Sequence, residues 1–150
     1  MLTSDEIESH IRAYIDACTA GDAALIAKYF EEDAVHYFPE GMYGGPFLGR
    51  DVIAERFATS VRTIGSAWTV DAVVVDESRQ QATAEWTHFK QSSAITLRGC
   101  EWYVFSANGL ISEIRAYYAS PQAEGLTHLG LGGYDYAGRG YPMKPSEIRK

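Results

Sequence analysis

The chain has little of what builds the common specialised sites. Its two cysteines, Cys18 and Cys100, are too few for a disulfide framework and stand at no metal-ligand spacing, so both read as small core-filling residues. No apolar run approaches about 18 residues, and the N-terminus lacks a basic stretch ahead of an apolar core. A soluble cytoplasmic protein without membrane contact is therefore expected. Positive charge is scarce: 13 Lys and Arg against 20 Asp and Glu leave a net charge of −7, which repels phosphate backbones and argues against nucleic acid as a partner. The glycines between Gly41 and Gly49 are not followed by Lys-Ser or Lys-Thr, so they form no phosphate loop. His36, His88 and Glu101 compose no local ligand motif, and neither a metal nor another cofactor is expected. No internal repeat is visible.

What is present fits one domain, since 150 residues bury roughly two-thirds of their unfolded surface. Thr3 with Glu6 reads as a capping box for a first helix whose apolar face is Ile7, Ile11, Tyr14, Ile15 and Cys18. Gly21 ends it, and Asp22 caps a second, shorter helix with Leu25, Ile26, Tyr29 and Phe30 inward. A short β-like run from Ala34 to Phe38 stops at Pro39, and Gly41 to Gly49 reads as loop. A third helix is expected from Arg50 to Ile64 with Val52, Ile53, Phe57, Val61 and Ile64 on one side. Four strands follow, near Ala67 to Asp76, Gln81 to Gln91, Thr96 to Ser106 and Leu110 to Tyr118, joined by tight turns that make them antiparallel neighbours. Helices followed by a meander make an α+β layer fold. Beyond Pro121 the composition shifts to glycines interleaved with Leu and Tyr. The expected organisation is one domain over 1–120 and a tail over 121–150 packed on the same or a neighbouring subunit.

The first helix, "AGD" at Ala20 to Asp22, the second helix, "EEDAVHYFP" at Glu31 to Pro39, "GGPFLGRDVI" and the last strand "GLISEIRAYY" together resemble NTF2-like or SnoaL-like proteins over roughly residues 4–120. The resemblance implies a cone of three N-terminal helices packed on a curved, mainly antiparallel sheet around one apolar pocket. It also implies a homodimer or higher homo-oligomer. The scaffold hosts isomerases, cyclases, dehydratases, epoxide hydrolases and non-catalytic binders, so it specifies fold better than reaction. Within it, steroid Δ5-3-ketoisomerases place a phenol where Tyr14 stands and a protonated carboxylic acid where Glu101 stands, the two forming an oxyanion hole. Their catalytic Asp is Phe38 here, and the Asp that the related epoxide hydrolases need on the last strand is Ala116.

Strand alternation puts Glu101, Tyr103 and Phe105 on one face with Trp86 and His88, and continues through Ile114, Ala116 and Tyr118. Arg115 and Tyr117 then fall on the opposite face beside Trp102 and Val104, a candidate dimer surface. The expected pocket is aromatic, with Phe38, Tyr43, Phe57, Trp86, Tyr103, Ile114 and Tyr118 as substrate-binding walls and His88, Glu101, Tyr14 and His36 as catalytic groups. His88 is the leading general base or acid, because an imidazole titrates near neutrality. His36 shares a strand face with Phe38 and is the second candidate. Glu101 within a run of Tyr, Val and Phe needs a partner or a proton, and a purely structural role would enlist Arg98 or Arg115. Asp16, Asp33, Asp51 and Asp71 read as solvated charges. These residues point to a cofactor-independent isomerase, cyclase or dehydratase acting on a small apolar, oxygen-bearing molecule. The alternatives are a non-catalytic ligand-binding module or, further off, an epoxide hydrolase-like enzyme.

Overall fold

The structure, a computed structural model, describes residues 1–39, 42–118, 128–129 and 135–148. Helix α1 (Ser4–Ala20) begins on the expected reciprocal cap: the Thr3 side chain accepts from the Glu6 amide while Glu6 accepts from the Thr3 amide at 2.8 Å. Gly21 closes it in the left-handed conformation, φ 69°. Helix α2 (Ala23–Ala27) is capped by Asp22 and spans only five residues. The second helix is therefore shorter than its apolar pattern implies. Phe30 opens strand β1 (Phe30–Tyr37) instead, and Leu25 is partly exposed, leaving Ile26 as the buried residue of α2.

The stretch expected to be pure loop contains the two-residue strand β2 (Phe47–Leu48). Helix α3 (Arg50–Ile64) has the expected limits, although Val52 is exposed on it. Strands β3 (Ser66–Asp76), β4 (Gln81–Lys90), β5 (Ile95–Phe105) and β6 (Ile111–Tyr117) form the meander, each within one residue of its expected ends. The sheet runs β2-β1-β6-β5-β4-β3. β1 lies parallel to β6, and the remaining neighbours on that path are antiparallel. A short strand, β7 (His128–Leu129), pairs in parallel with Thr96 and Leu97 of β5, beyond the end of the β5–β6 ladder.

The three helices cover one face of this mixed sheet, which makes an α+β fold of the NTF2-like kind. The buried face of α1 meets Tyr103, Phe105, Ile111 and Ile114 in a common core. Alternation on β4 and β5 sends Trp86, His88, Glu101 and Tyr103 inward, while Glu85, Thr87, Arg98 and Cys100 face out. Cys100 is exposed, unlike the fully buried Cys18, so the core-filling reading holds for one cysteine only. Across from Trp86 the sheet needs Gly99. A Cβ there would stand 2.7 Å from the Tyr118 Cβ and 2.8 Å from the Trp86 ring.

On the outer face, residues 135–148 lie against β4 and β5. Arg98 donates to the Pro142 carbonyl at 2.8 Å and sits 4.0 Å above the Tyr136 ring, and the Tyr141 hydroxyl donates to Glu85 at 2.7 Å. Asp71 belongs to this side, and the expectation that it is solvated is overturned. The bulge between Val70 and Ala72 turns it towards Thr87, whose hydroxyl donates to it at 2.6 Å, and burial with nearby Glu85 raises its pKa to about 6. Residues 119–127 and 130–134, where most of the Gly/Leu/Tyr pattern of the tail lies, are outside the described residues.

Candidate functional site

Between the inward face of the sheet and α3 lies a cavity of about 230 Å³. β1 and the following loop contribute Phe38 and Tyr43, α3 contributes Phe57, and the sheet contributes Trp68, Trp86, His88, Glu101 and Tyr118. Seven of the expected site residues are thus on one wall: Phe38, Tyr43, Phe57, Trp86, His88, Glu101 and Tyr118. The other four, Tyr14, His36, Tyr103 and Ile114, are fully buried behind it. Tyr103 and Ile114, expected as substrate-binding walls, back the cavity instead of lining it.

Glu101 is 6% exposed, and a carboxyl so placed must be paired or protonated. Its partners are neither Arg98 nor Arg115, which project from the opposite face. The Tyr103 hydroxyl donates to Oε2 at 2.6 Å, and Oε1 lies 3.5 Å from Nε2 of the wholly buried His36. The parallel pairing of β1 with β6 makes this meeting possible: His36 is in register with Ile114, and Glu101 with Ala116. The His36 ring stacks on Phe38, 4.2 Å between centroids, which fixes the imidazole plane.

His36 Nδ1 lies 3.3 Å from the Tyr37 carbonyl. A carbonyl only accepts, so Nδ1 carries a hydrogen and Nε2 faces the carboxyl. At 3.5 Å that contact is too long for a sound hydrogen bond, and Nε2 has no other partner among the described residues.

Tyr14 stands behind this pair. Burial, then the neighbouring Cys18 thiol, Glu101 and Tyr103, hold its phenol pKa well above normal, as burial and Glu101 do for Tyr103. Both phenols therefore stay protonated; Tyr103 donates to Glu101, and the Tyr14 hydroxyl has no hydrogen-bond partner among the described residues. Burial and the adjacent Tyr43 phenol likewise raise the pKa of Tyr118.

His88 occupies the other end of the same sheet face. Its Nε2 bonds the Ser66 hydroxyl at 2.8 Å, Ser66 bonds Ser60, and its ring stacks on Trp68 at 4.5 Å. Burial, helped by Lys90, lowers its pKa to about 3, so it is a neutral hydrogen-bonding group at neutral pH. The sequence therefore led to the right face, while the structure joins the carboxyl to His36 and Tyr103 and ties His88 to serines.

Residues not anticipated complete the wall: Phe47 from β2, Arg56, Thr59, Ser60, Thr63 and Ile64 from α3, and Trp68. Their signal was the second stripe of α3, where Arg56, Ser60 and Thr63 recur at helical spacing beside Phe57 and Ile64. The buried indole N–H of Trp86 has no hydrogen-bond partner among the described residues. Also among the described residues, no three His, Cys, Asp or Glu side chains stand close enough to hold a metal, and no helix is long and apolar enough to cross a membrane.

Residues 11–114 match the SnoaL-like domain family. A crystal structure from Methylobium petroleophilum PM1, described as a protein of unknown function with a cystatin-like fold, is 52% identical over 95% of each chain with TM-score 0.78. Bal32a, from a soil-derived mobile gene cassette, is 16% identical over 78% of this chain and 92% of its own, TM-score 0.68. The epoxide hydrolase/cyclase-like enzyme SalBIII, described for pyran ring formation in polyether salinomycin, is 15% identical over 79% and 95%, TM-score 0.68. The last two likenesses show the fold alone. No curated protein matches the chain.

Proposed function

We propose, from the premise that the chain belongs to the SnoaL-like domain family, that it is an enzyme of isomerase, cyclase or dehydratase type. It would move a proton on a small apolar molecule next to an oxygen function. One observation carries the reading: a buried carboxyl, Glu101, at a cavity wall, with one oxygen held by the Tyr103 hydroxyl and the other 3.5 Å from His36 Nε2.

In this reading the Glu101 carboxylate accepts a proton from a carbon next to a substrate carbonyl. The C–H bonding pair becomes the enolate, whose negative charge settles on oxygen. The proton now on Glu101 returns to carbon or oxygen to complete the transfer. The His36 ring lies beside the carboxylate, Tyr103 fixes its orientation, and the aromatic wall excludes water that would weaken the site's electrostatics.

The test is deuterium incorporation into a panel of lipophilic ketones and phenols, read by mass spectrometry. Glu101→Gln should lower exchange about a hundredfold or more with the melting temperature preserved, and Tyr103→Phe should cost less. Saturable binding without exchange or product for every bound compound would overturn the enzymatic reading and leave a binding module.

A further inference from the structure

The cavity has two polar ends, and only one of them holds Glu101. His88 and Ala84 are four residues apart on β4, and Ala84 is the partner of Glu101. His88 and Glu101 are thus separated by roughly 13 Å of strand at about 3.3 Å per residue. Beside His88 the wall includes Ser60 of α3, joined to it through Ser66, and Arg56 stands at the exposed rim beside Phe47. The Arg56 guanidinium lies over the Phe47 ring at 5.2 Å and has no carboxylate within ion-pair distance among the described residues. In a chain of net charge −7, a cation with no carboxylate at the mouth of an aromatic cavity is a specific feature.

Size limits the occupant further. A cavity of about 150 Å³ accepts benzene, so about 230 Å³ takes one ring with a few substituents, roughly nine to twelve non-hydrogen atoms. Fused polycycles are too large. Trp68, Trp86 and Phe57 supply flat walls between the two ends.

We infer that the substrate class is a single-ring carboxylate bearing a carbonyl or hydroxyl at its far end, with Arg56 as the carboxylate anchor and the oxygen function delivered to Glu101. This rests on the proton-transfer reading of Glu101 and adds the identity of the molecule it acts on. Arg56 determines specificity by pairing with the anionic end, a charge-assisted contact that a neutral isostere cannot make.

The probe is 4-acetylbenzoate, compared with neutral 4-acetylbenzamide and the larger 6-acetyl-2-naphthoate. Two of the three tryptophans, Trp68 and Trp86, line the cavity, so quenching of their fluorescence reads occupancy in the full-length chain. Exchange of the acetyl C–H protons in deuterium oxide, followed by NMR, reads chemistry. Acetylbenzoate should bind at least about tenfold tighter than the amide and tighter than the naphthoate. Arg56→Gln should abolish the preference for acid over amide. Equal affinity for acid and amide, a preference that survives Arg56→Gln, or no saturable quenching by acetylbenzoate overturns the inference. Exchange without an Arg56-dependent preference sinks the anchor and spares the proposed reaction. Arg56-dependent binding without Glu101-dependent exchange does the reverse.

Discussion

The two faces of the central strands β4 and β5 are built from similar polar ingredients and do opposite things with them. Outside, Glu85, Thr87, Asp71 and Arg98 are each engaged by a close partner: Tyr141, Asp71, Thr87 and the Pro142 carbonyl, respectively. Inside, Glu101 is held at one oxygen, His36 meets it at a loose 3.5 Å, and the Trp86 N–H has no partner among the described residues. Burial alone therefore does not mark a site, because the outer face half-buries carboxyls of its own, Asp71 and Glu85. What separates scaffold from site is whether the buried groups have exhausted their hydrogen-bonding capacity on one another.

The sharpest way to break that comparison is acid. His88 has a folded pKa of about 3, below the unfolded value of about 6.5. Its contribution is complete above about pH 6.5 and is lost as pH falls towards 3, at about 1.4 kcal/mol per pH unit. Asp71 has the opposite sign: raised to about 6, its burial penalty is present above that pH and relieved as pH falls towards 4. The two partly offset each other in the wild type. Urea unfolding of wild type and His88→Gln isolates the inner contribution, with the difference between them shifting by about 2 kcal/mol between pH 6.5 and 4.5. A difference independent of pH would show that the inner imidazole is not held neutral by the fold.

Next in size is Gly99→Ala. The added methyl meets Tyr118 and the Trp86 ring, so about 1–3 kcal/mol of stability should be lost, together with ligand binding in the cavity, read by thermal melts and fluorescence titration. Binding that survives unchanged would mean the two aromatic walls can move apart. The smallest effect belongs outside. Tyr141→Phe removes the hydroxyl on Glu85 and should cost about 1 kcal/mol in urea unfolding while leaving exchange at Glu101 untouched; a fall in exchange would show that the two faces are coupled.

The sequence carried the inner face further than the outer one. Capping residues, helical spacing and strand alternation act locally, which is why α1, α3 and the meander were legible and why Glu101, Trp86, His88 and Tyr118 fell on one side. The α2 limits failed because a run such as Leu25 to Phe30 satisfies a helix and a buried strand equally. His88 drew attention because β4 is the sequence neighbour of β5. The His36–Glu101 meeting depends on the parallel β1–β6 pairing across some eighty residues of chain, which no local pattern encodes. Asp71 was misjudged for two reasons: a bulge breaks the alternation around it, and the residues that cover its side of the sheet come from the far end of the chain.

The short parallel strand β7 has a consequence for how the molecule behaves in company. β6 pairs with β5 from Cys100 to Phe105 only, and along Thr96 and Leu97 the backbone of β5 would otherwise present its amides and carbonyls to passing chains. A bare ribbon of that kind templates the addition of foreign strands. By laying His128 and Leu129 along it, the protein uses its own late sequence as a selvedge, finishing the weave at the point where it would first unravel into aggregates.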